Sequence, residues 1–167
     1  MEFLQQLEGT SLSGWILSSD WASPLLLCAH SVGMGLVVGI VLMLSFRVLG
    51  FATGIPYSAY AGLMTTAWIG FAVNALSGIF LFIADPTHLI VNWTFQLKLA
   101  LIVLGGLSLW LLWRLLQPTL AAGEGTVATP GAKAAALACI VFWLGAVTSG
   151  RYIAYTLADA LAKSLLQ

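Results

Sequence analysis

The 167-residue sequence predicts an all-α integral membrane protein, a four-helix up-and-down bundle with a short N-terminal interfacial segment. Three observations carry that expectation. Hydrophobic residues make up 60% of the chain and charged residues 7%, against roughly 25% charged in an ordinary soluble domain. Such a chain cannot cover a globular surface with polar groups. Hydropathy resolves into four long apolar segments, residues 24–46, 62–84, 94–116 and 132–155, each near the roughly 20 residues that cross a hydrocarbon core. With no water there to satisfy backbone N–H and C=O groups, runs of this length take the helical form. The whole of 1–167 reads as one transmembrane domain. A formal net charge of zero excludes a basic nucleic-acid surface, and the sequence carries no zinc-ligand spacing, phosphate loop or long repeat.

Taken in order, the N-terminus MEFLQQLEGTSLSGW places Glu2 and Glu8 where a cleavable signal needs bases, so no signal peptide is expected. Residues 3–17 suggest a weakly amphipathic helix at the interface, with Leu4, Leu7 and Trp15 loosely on one side and Glu8 and Gly14 working against it. DWASP reads as a helix start, Ser23 capping and Pro24 in the first turn. The connection GFATGIPYSAY turns at Gly54 and Pro56, and DPTHLIVNW is tight. The third connection, QPTLAAGEGTVATPGAK, is the longest. Short links make consecutive helices antiparallel neighbours. Asn92-Trp93-Thr94 matches a glycosylation acceptor, but its closeness to the membrane argues for chance.

Orientation follows the basic residues at helix ends. Arg47, Arg114 and Lys133 fall on one side; Lys98, Arg151 and Lys163 fall on the other, with Glu2, Glu8, Asp20, Asp85 and Asp159. Discounting Lys98 and Arg151, which lie inside spans, favours both termini outside. Trp21 and Trp93 on that side, and Trp110 and Trp113 on the other, suit interfacial belts.

His30 interrupts the run LLLCAHSVGMG, roughly 9 Å into the first span. Lys98 opens the third span and Arg151 lies near the end of the fourth, so alternating helix direction brings all three to one leaflet. His88 and Asp85 lie at the same surface. Intramembrane ionisable groups gathered at one end are how a buried site looks. Arg47 and Arg114, on the opposite side, read as snorkelling residues. At about 100° per residue, His30, Met34, Val37 and Val41 share a stripe, with Gly35, Gly39 and Cys28 opposite; the GLVVG stretch would let a helix of this chain, a second copy or a larger complex approach closely. Thr66, Gly70, Asn74, Ser77 and Gly78 form a small, polar stripe on the second span. Thr148, Arg151 and Tyr155 share a face of the fourth, also expected to turn inward.

The leading expectation is a b-type haem or related tetrapyrrole on His30, with Lys98 and Arg151 as propionate partners and His88 as a second ligand if the loop folds inward. Electron transfer, as an anchor or subunit of a membrane redox assembly, would follow. Copper is the alternative, through His30 and Met34 at i and i+4. A non-catalytic scaffold whose polar cluster is only structural is the bland reading. Cys28 and Cys139 read as buried, free, small hydrophobes.

The succession AHSVGMGLVVG, FRVLG, FQLKLALIVLGGL and TSGRYIAY resembles an uncharacterised family of small bacterial four-helix inner-membrane proteins, a domain of unknown function, over nearly the whole chain. More distantly, His30, Arg47 and Lys98 look like positions of the HemJ-type protoporphyrinogen oxidases and of the CopD-type copper-resistance membrane proteins. The first similarity implies tetrapyrrole handling and the second implies copper.

Overall fold

In the computed structural model, residues 2–51, 53–122 and 127–164 are described, without the side chains of residues 122 and 157–164. Asp159 and Lys163 therefore lie outside the described side chains. Among the described residues the chain forms helices α1 (Glu2–Glu8), α2 (Ser11–Ser18), α3 (Ala22–Leu49), α4 (Tyr57–Ala84), α5 (Pro86–Val91), α6 (Trp93–Ala122) and α7 (Pro130–Ser164). No strand occurs among them. α3, α4, α6 and α7 are each long and apolar enough to cross a membrane. They contain the four expected apolar segments and extend past their ends, because polar residues at a helix terminus still close backbone hydrogen bonds outside the hydrocarbon.

The helix ends follow local chemistry. α3 is capped from Ser19, whose Oγ accepts from the Ala22 N–H at 3.2 Å. The expected cap, Ser23, instead donates to the Ile16 carbonyl at 2.9 Å and ties α2 to α3. At the other end of α3, Gly50 has φ +98° and its N–H bonds the Arg47 carbonyl. The Phe51 N–H closes onto Phe46 O, completing a left-handed cap that glycine adopts without Cβ strain. Asn92 Oδ1 accepts from the Thr94 and Phe95 N–H groups and caps α6. That gives Asn92 a structural use inside the sequon-like triplet. Thr129 Oγ1 caps α7 through Ala132 N–H.

The N-terminal segment is two short helices, broken at Gly9–Thr10, where Thr10 Oγ1 caps α2. Its buried face is Ser13 and Ile16, both fully enclosed, with Ser13 Oγ bonded to the Ala84 carbonyl at the end of α4. Leu4 and Leu7 are half-buried, whereas Trp15 faces outward.

The bundle is two antiparallel hairpins, α3–α4 and α6–α7, docked through α3 against α7. α7 presents small residues to that seam, with Ala132, Ala136 and Cys139 fully buried beside Val41, Leu44 and Leu112. The tight α3–α4 approach is at Gly33 and Gly70. A Cβ on Gly33 would stand 2.6 Å from Gly70 O and 2.7 Å from Asn74 N. Gly35 and Gly39 are exposed, with nothing near an added Cβ, so the two glycines of GLVVG mediate no helix contact among the described residues. His30 accordingly sits on the glycine-mediated face rather than opposite it.

Arg47 also departs from expectation. It is buried at 9% exposure, donates from Nε to Ile55 O at 2.7 Å and stacks over Tyr57 at 4.2 Å. It therefore staples the α3–α4 turn instead of snorkelling. Arg114 is exposed and lies over Trp110.

Candidate functional site

Three helices place the polar cluster at the end of the bundle shared by both termini. His30 comes from the inward stripe of α3. Asn74 and Ser77 come from the small, polar stripe of α4, where Gly70 and Gly78 admit close approach; an added Cβ on Gly78 would lie 3.1 Å from His30 Cε1. Lys98 reaches across from the first turns of α6, its stem against Gly150 of α7.

The hydrogen bonds order the imidazole. His30 Nδ1 lies 2.9 Å from Asn74 O and 3.3 Å from Ser77 Oγ, while Lys98 Nζ lies 3.1 Å from Nε2. A lysine amine and a backbone carbonyl permit one neutral arrangement: Nδ1–H donates to Asn74 O, and Nε2 accepts from Lys98. Asn74 Nδ2 returns a bond to His30 O at 2.7 Å, and Ser77 Oγ–H donates to Val73 O at 2.6 Å. The histidine ring is held by backbone on one edge and by an amine on the other. Among the described residues His30 is the one polar contact of Lys98 and no carboxylate stands within ion-pair distance, so Lys98 has more N–H bonds than partners there. An amine placed this way is a donor waiting for an acceptor.

One cavity adjoins the cluster, and a separate groove lies deeper in the bundle. The cavity, about 10 Å³, is lined by Met34, Asn74, Lys98, Ile102 and Trp143, among others, and has room for about one water. The groove, about 410 Å³, runs between α4 and α6. Val37, Phe71 and Trp143 line both.

The other expected site residues are elsewhere. Arg151 is exposed on the outer face of α7 with Thr148 and Tyr155, because the inward face of that helix is Cys139, Trp143, Ala146 and Ser149. His88 lies on α5, 59% exposed, its Nδ1 2.6 Å from Asp85 Oδ1. It does not approach His30. Asp85 raises the His88 pKa above its usual value, first by that hydrogen bond and then by its charge. Glu8 completes this surface group, its ligand atom within 4.8 Å of the others, and Thr87 Oγ1 donates to it at 2.6 Å. Met34 lies on the wall of the smaller cavity. Cys139 accepts from Ser108 Oγ inside the core, and Cys28 is exposed on the far side of α3 from His30.

Asn74 and Ser77 stood out in the sequence as a polar stripe, and an amide in a span is itself a functional signal. Trp143 and Phe71 gave no such sign, because an aromatic in an apolar run looks like any other lipid-facing residue. Comparison with family models, curated proteins and solved structures finds no match for this chain.

Proposed function

We propose that the chain is a small bacterial inner-membrane subunit, termini outside, that binds the polar head of an amphipathic, lipid-soluble ligand at Lys98 and His30. The observation that carries this reading is the Lys98 Nζ–His30 Nε2 contact of 3.1 Å, within a membrane-spanning helix pair and without a neighbouring carboxylate among the described residues. Keeping an ionisable amine there is costly unless it has a use. The neutral histidine orients the amine, and the amine's spare N–H bonds meet an oxygen of the ligand.

A b-type haem is the second reading, favoured by one observation. His30 with Nδ1–H on a backbone carbonyl is the state in which Nε2 ligates a metal. The rest of the arrangement does not fit a macrocycle at Nε2. Lys98 occupies that approach, the adjoining cavity holds about 10 Å³, Arg151 faces outward and His88 is bound to Asp85. Copper through His30 and Met34 meets the same obstruction at Nε2.

The test is an absorption spectrum of the detergent-purified protein, oxidised and dithionite-reduced, followed by solvent extraction and mass spectrometry. We expect no Soret band, and a co-extracted amphiphile that is depleted in Lys98→Met. A Soret band that disappears in His30→Ala would put haem in its place.

A further inference from the structure

The first helix is docked on the bundle with little apolar contact to hold it. α1 has seven residues and none of them is buried. An isolated helix needs roughly 12–15 residues to be even marginally stable in water. α1 nevertheless lies against α5, with Phe3 70% exposed and Leu4 and Leu7 only half-buried. The polar tie between the two helices is Thr87 Oγ1, which donates to Glu8 Oε2 at 2.6 Å.

That docking brings three metal-ligating side chains together. Asp85 closes α4 and opens α5, and His88 follows one turn later, on the same face. Glu8 arrives from α1, far away in the chain. One donor atom from each, two carboxylate oxygens and an imidazole nitrogen, lie within 4.8 Å of one another. A zinc ion with bonds of about 2.0–2.2 Å spaces its donors about 3.0–3.5 Å apart, so closing on one needs shifts of no more than about 2 Å. His88 and Asp85, 59% and 39% exposed, have room for such a shift, and so does a helix with no buried residue.

Charge points the same way, independently of spacing. Glu8 and Asp85 are partly shielded from water. Among the described residues, neither has a lysine or arginine within ion-pair distance. Lys98, at the same end of the bundle, is turned inward onto His30. Two carboxylates beside a neutral imidazole carry two formal negative charges, which a single divalent cation cancels. The donor set then narrows the ion. Calcium and magnesium favour all-oxygen shells, copper(I) favours sulfur, and imidazole suits zinc, iron, nickel and copper(II). Three protein ligands leave a position open to water, as in zinc sites of the open kind.

We propose that Glu8, Asp85 and His88 bind one divalent first-row transition-metal ion, and that this ion clips α1 to α5 at the surface of the bundle. Thr87 holds the Glu8 carboxylate from behind, the part an outer hydrogen bond plays at a metal ligand. The Lys98–His30 site takes no part in it.

The test is calorimetric titration of the untagged, EDTA-stripped full chain in detergent with Zn²⁺, alongside hydrogen exchange of the α1 amides. We expect one saturable zinc site per chain. Glu8→Gln, Asp85→Asn and His88→Gln should each weaken it by about tenfold or more, a free-energy change of about 1.4 kcal/mol. Asp20→Asn, an exposed acid at the same end but outside the group, should match wild type. Zinc should slow exchange across Glu2–Glu8 in the wild type and not in Glu8→Gln. All these side chains are exposed or half-buried, and retained helicity with a single gel-filtration peak shows that each variant folds. No saturable binding, or binding unchanged in all three variants, overturns the site. Equal weakening in Asp20→Asn is diffuse attraction to an acidic surface and also overturns it. Zinc lost in His30→Gln but kept in Glu8→Gln puts the ion at the intramembrane histidine instead. Magnesium or calcium displacing zinc at equal concentration overturns the ion class, and zinc bound without slower α1 exchange overturns the clip.

Discussion

At the scale of single residues, ionisable groups at the site end divide into an intramembrane pair and a surface pair. The surface pair makes a pH prediction. Asp85 raises the His88 pKa above its ordinary value near 6.5, so the histidine binds its proton more tightly in the folded protein. The stabilisation is fully present below about pH 6.5 and is lost as pH rises through the raised folded value. His88 is largely exposed, so solvent screening keeps the effect on global stability small, and the readout is local. In an NMR titration His88 should have a midpoint above that of a model imidazole, and Asp85→Asn should bring it back. A His88 midpoint at the model value in the wild type would refute the pairing. Amide exchange across Glu2–Glu8 should quicken on the alkaline side, because Glu8 joins the same group. That His30 and Lys98 lie at one level was legible in the sequence from depth, since helices alternate in direction, but their 3.1 Å contact was not. Arg47 and Arg151 were misread because depth says nothing about facing. Arg47 turns inward onto Tyr57 and Ile55, while Arg151 turns outward.

For helices as elements, facing is hard to read in a membrane chain. In water an apolar stripe marks the buried side; in lipid every side is apolar, and only small and polar residues distinguish the inner face. The α4 stripe of Gly70, Asn74, Ser77 and Gly78 was legible for that reason, although Thr66 is exposed. On α3 two glycine registers compete. Gly35 and Gly39 have the familiar spacing, but Gly33, one turn beyond His30, is the residue pressed against the α4 backbone. Gly33→Leu should therefore destabilise the α3–α4 hairpin by more than the roughly 1–3 kcal/mol of ordinary overpacking, since backbone rather than a movable side chain stands in the way. Gly35→Leu and Gly39→Leu should leave monomer stability nearly unchanged. Thermal or denaturant unfolding in detergent micelles gives the comparison, and equal losses at Gly33 and Gly35 would contradict this packing. A selective loss of a larger oligomer in Gly35→Leu would instead reveal a partner on the outer glycine face.

For the molecule as a whole, the four-helix architecture was legible because four apolar runs with short links leave few arrangements. What the sequence could not convey is that the bundle is incomplete on one side. α3 packs on α4 and α7, and α6 packs on α7, but below the Phe82–Phe95 stack α4 and α6 stand apart over an aromatic groove. The rings that line it are scattered over three helices, and no local pattern joins them. Trp110 and Trp113, expected as interfacial anchors, belong to this groove. Their placement predicts how single-tryptophan variants respond to lipids brominated on the acyl chain, which quench only an indole that touches them. Trp68 and Trp110, 67% and 57% exposed, should be quenched strongly, and Trp143, 6% exposed, hardly at all. Trp21 and Trp93, exposed at the site end, should respond best to bromines close to the headgroups. If Trp143 were quenched as strongly as Trp68, acyl chains would already fill the groove to its floor, and its aromatic walls would be a lipid contact and not a binding site. If Trp68 and Trp110 were shielded, a second copy or another subunit would have to cover the gap. The expected pattern, bright Trp143 beneath quenched Trp68 and Trp110, requires both an open lateral mouth and a floor that lipid does not reach.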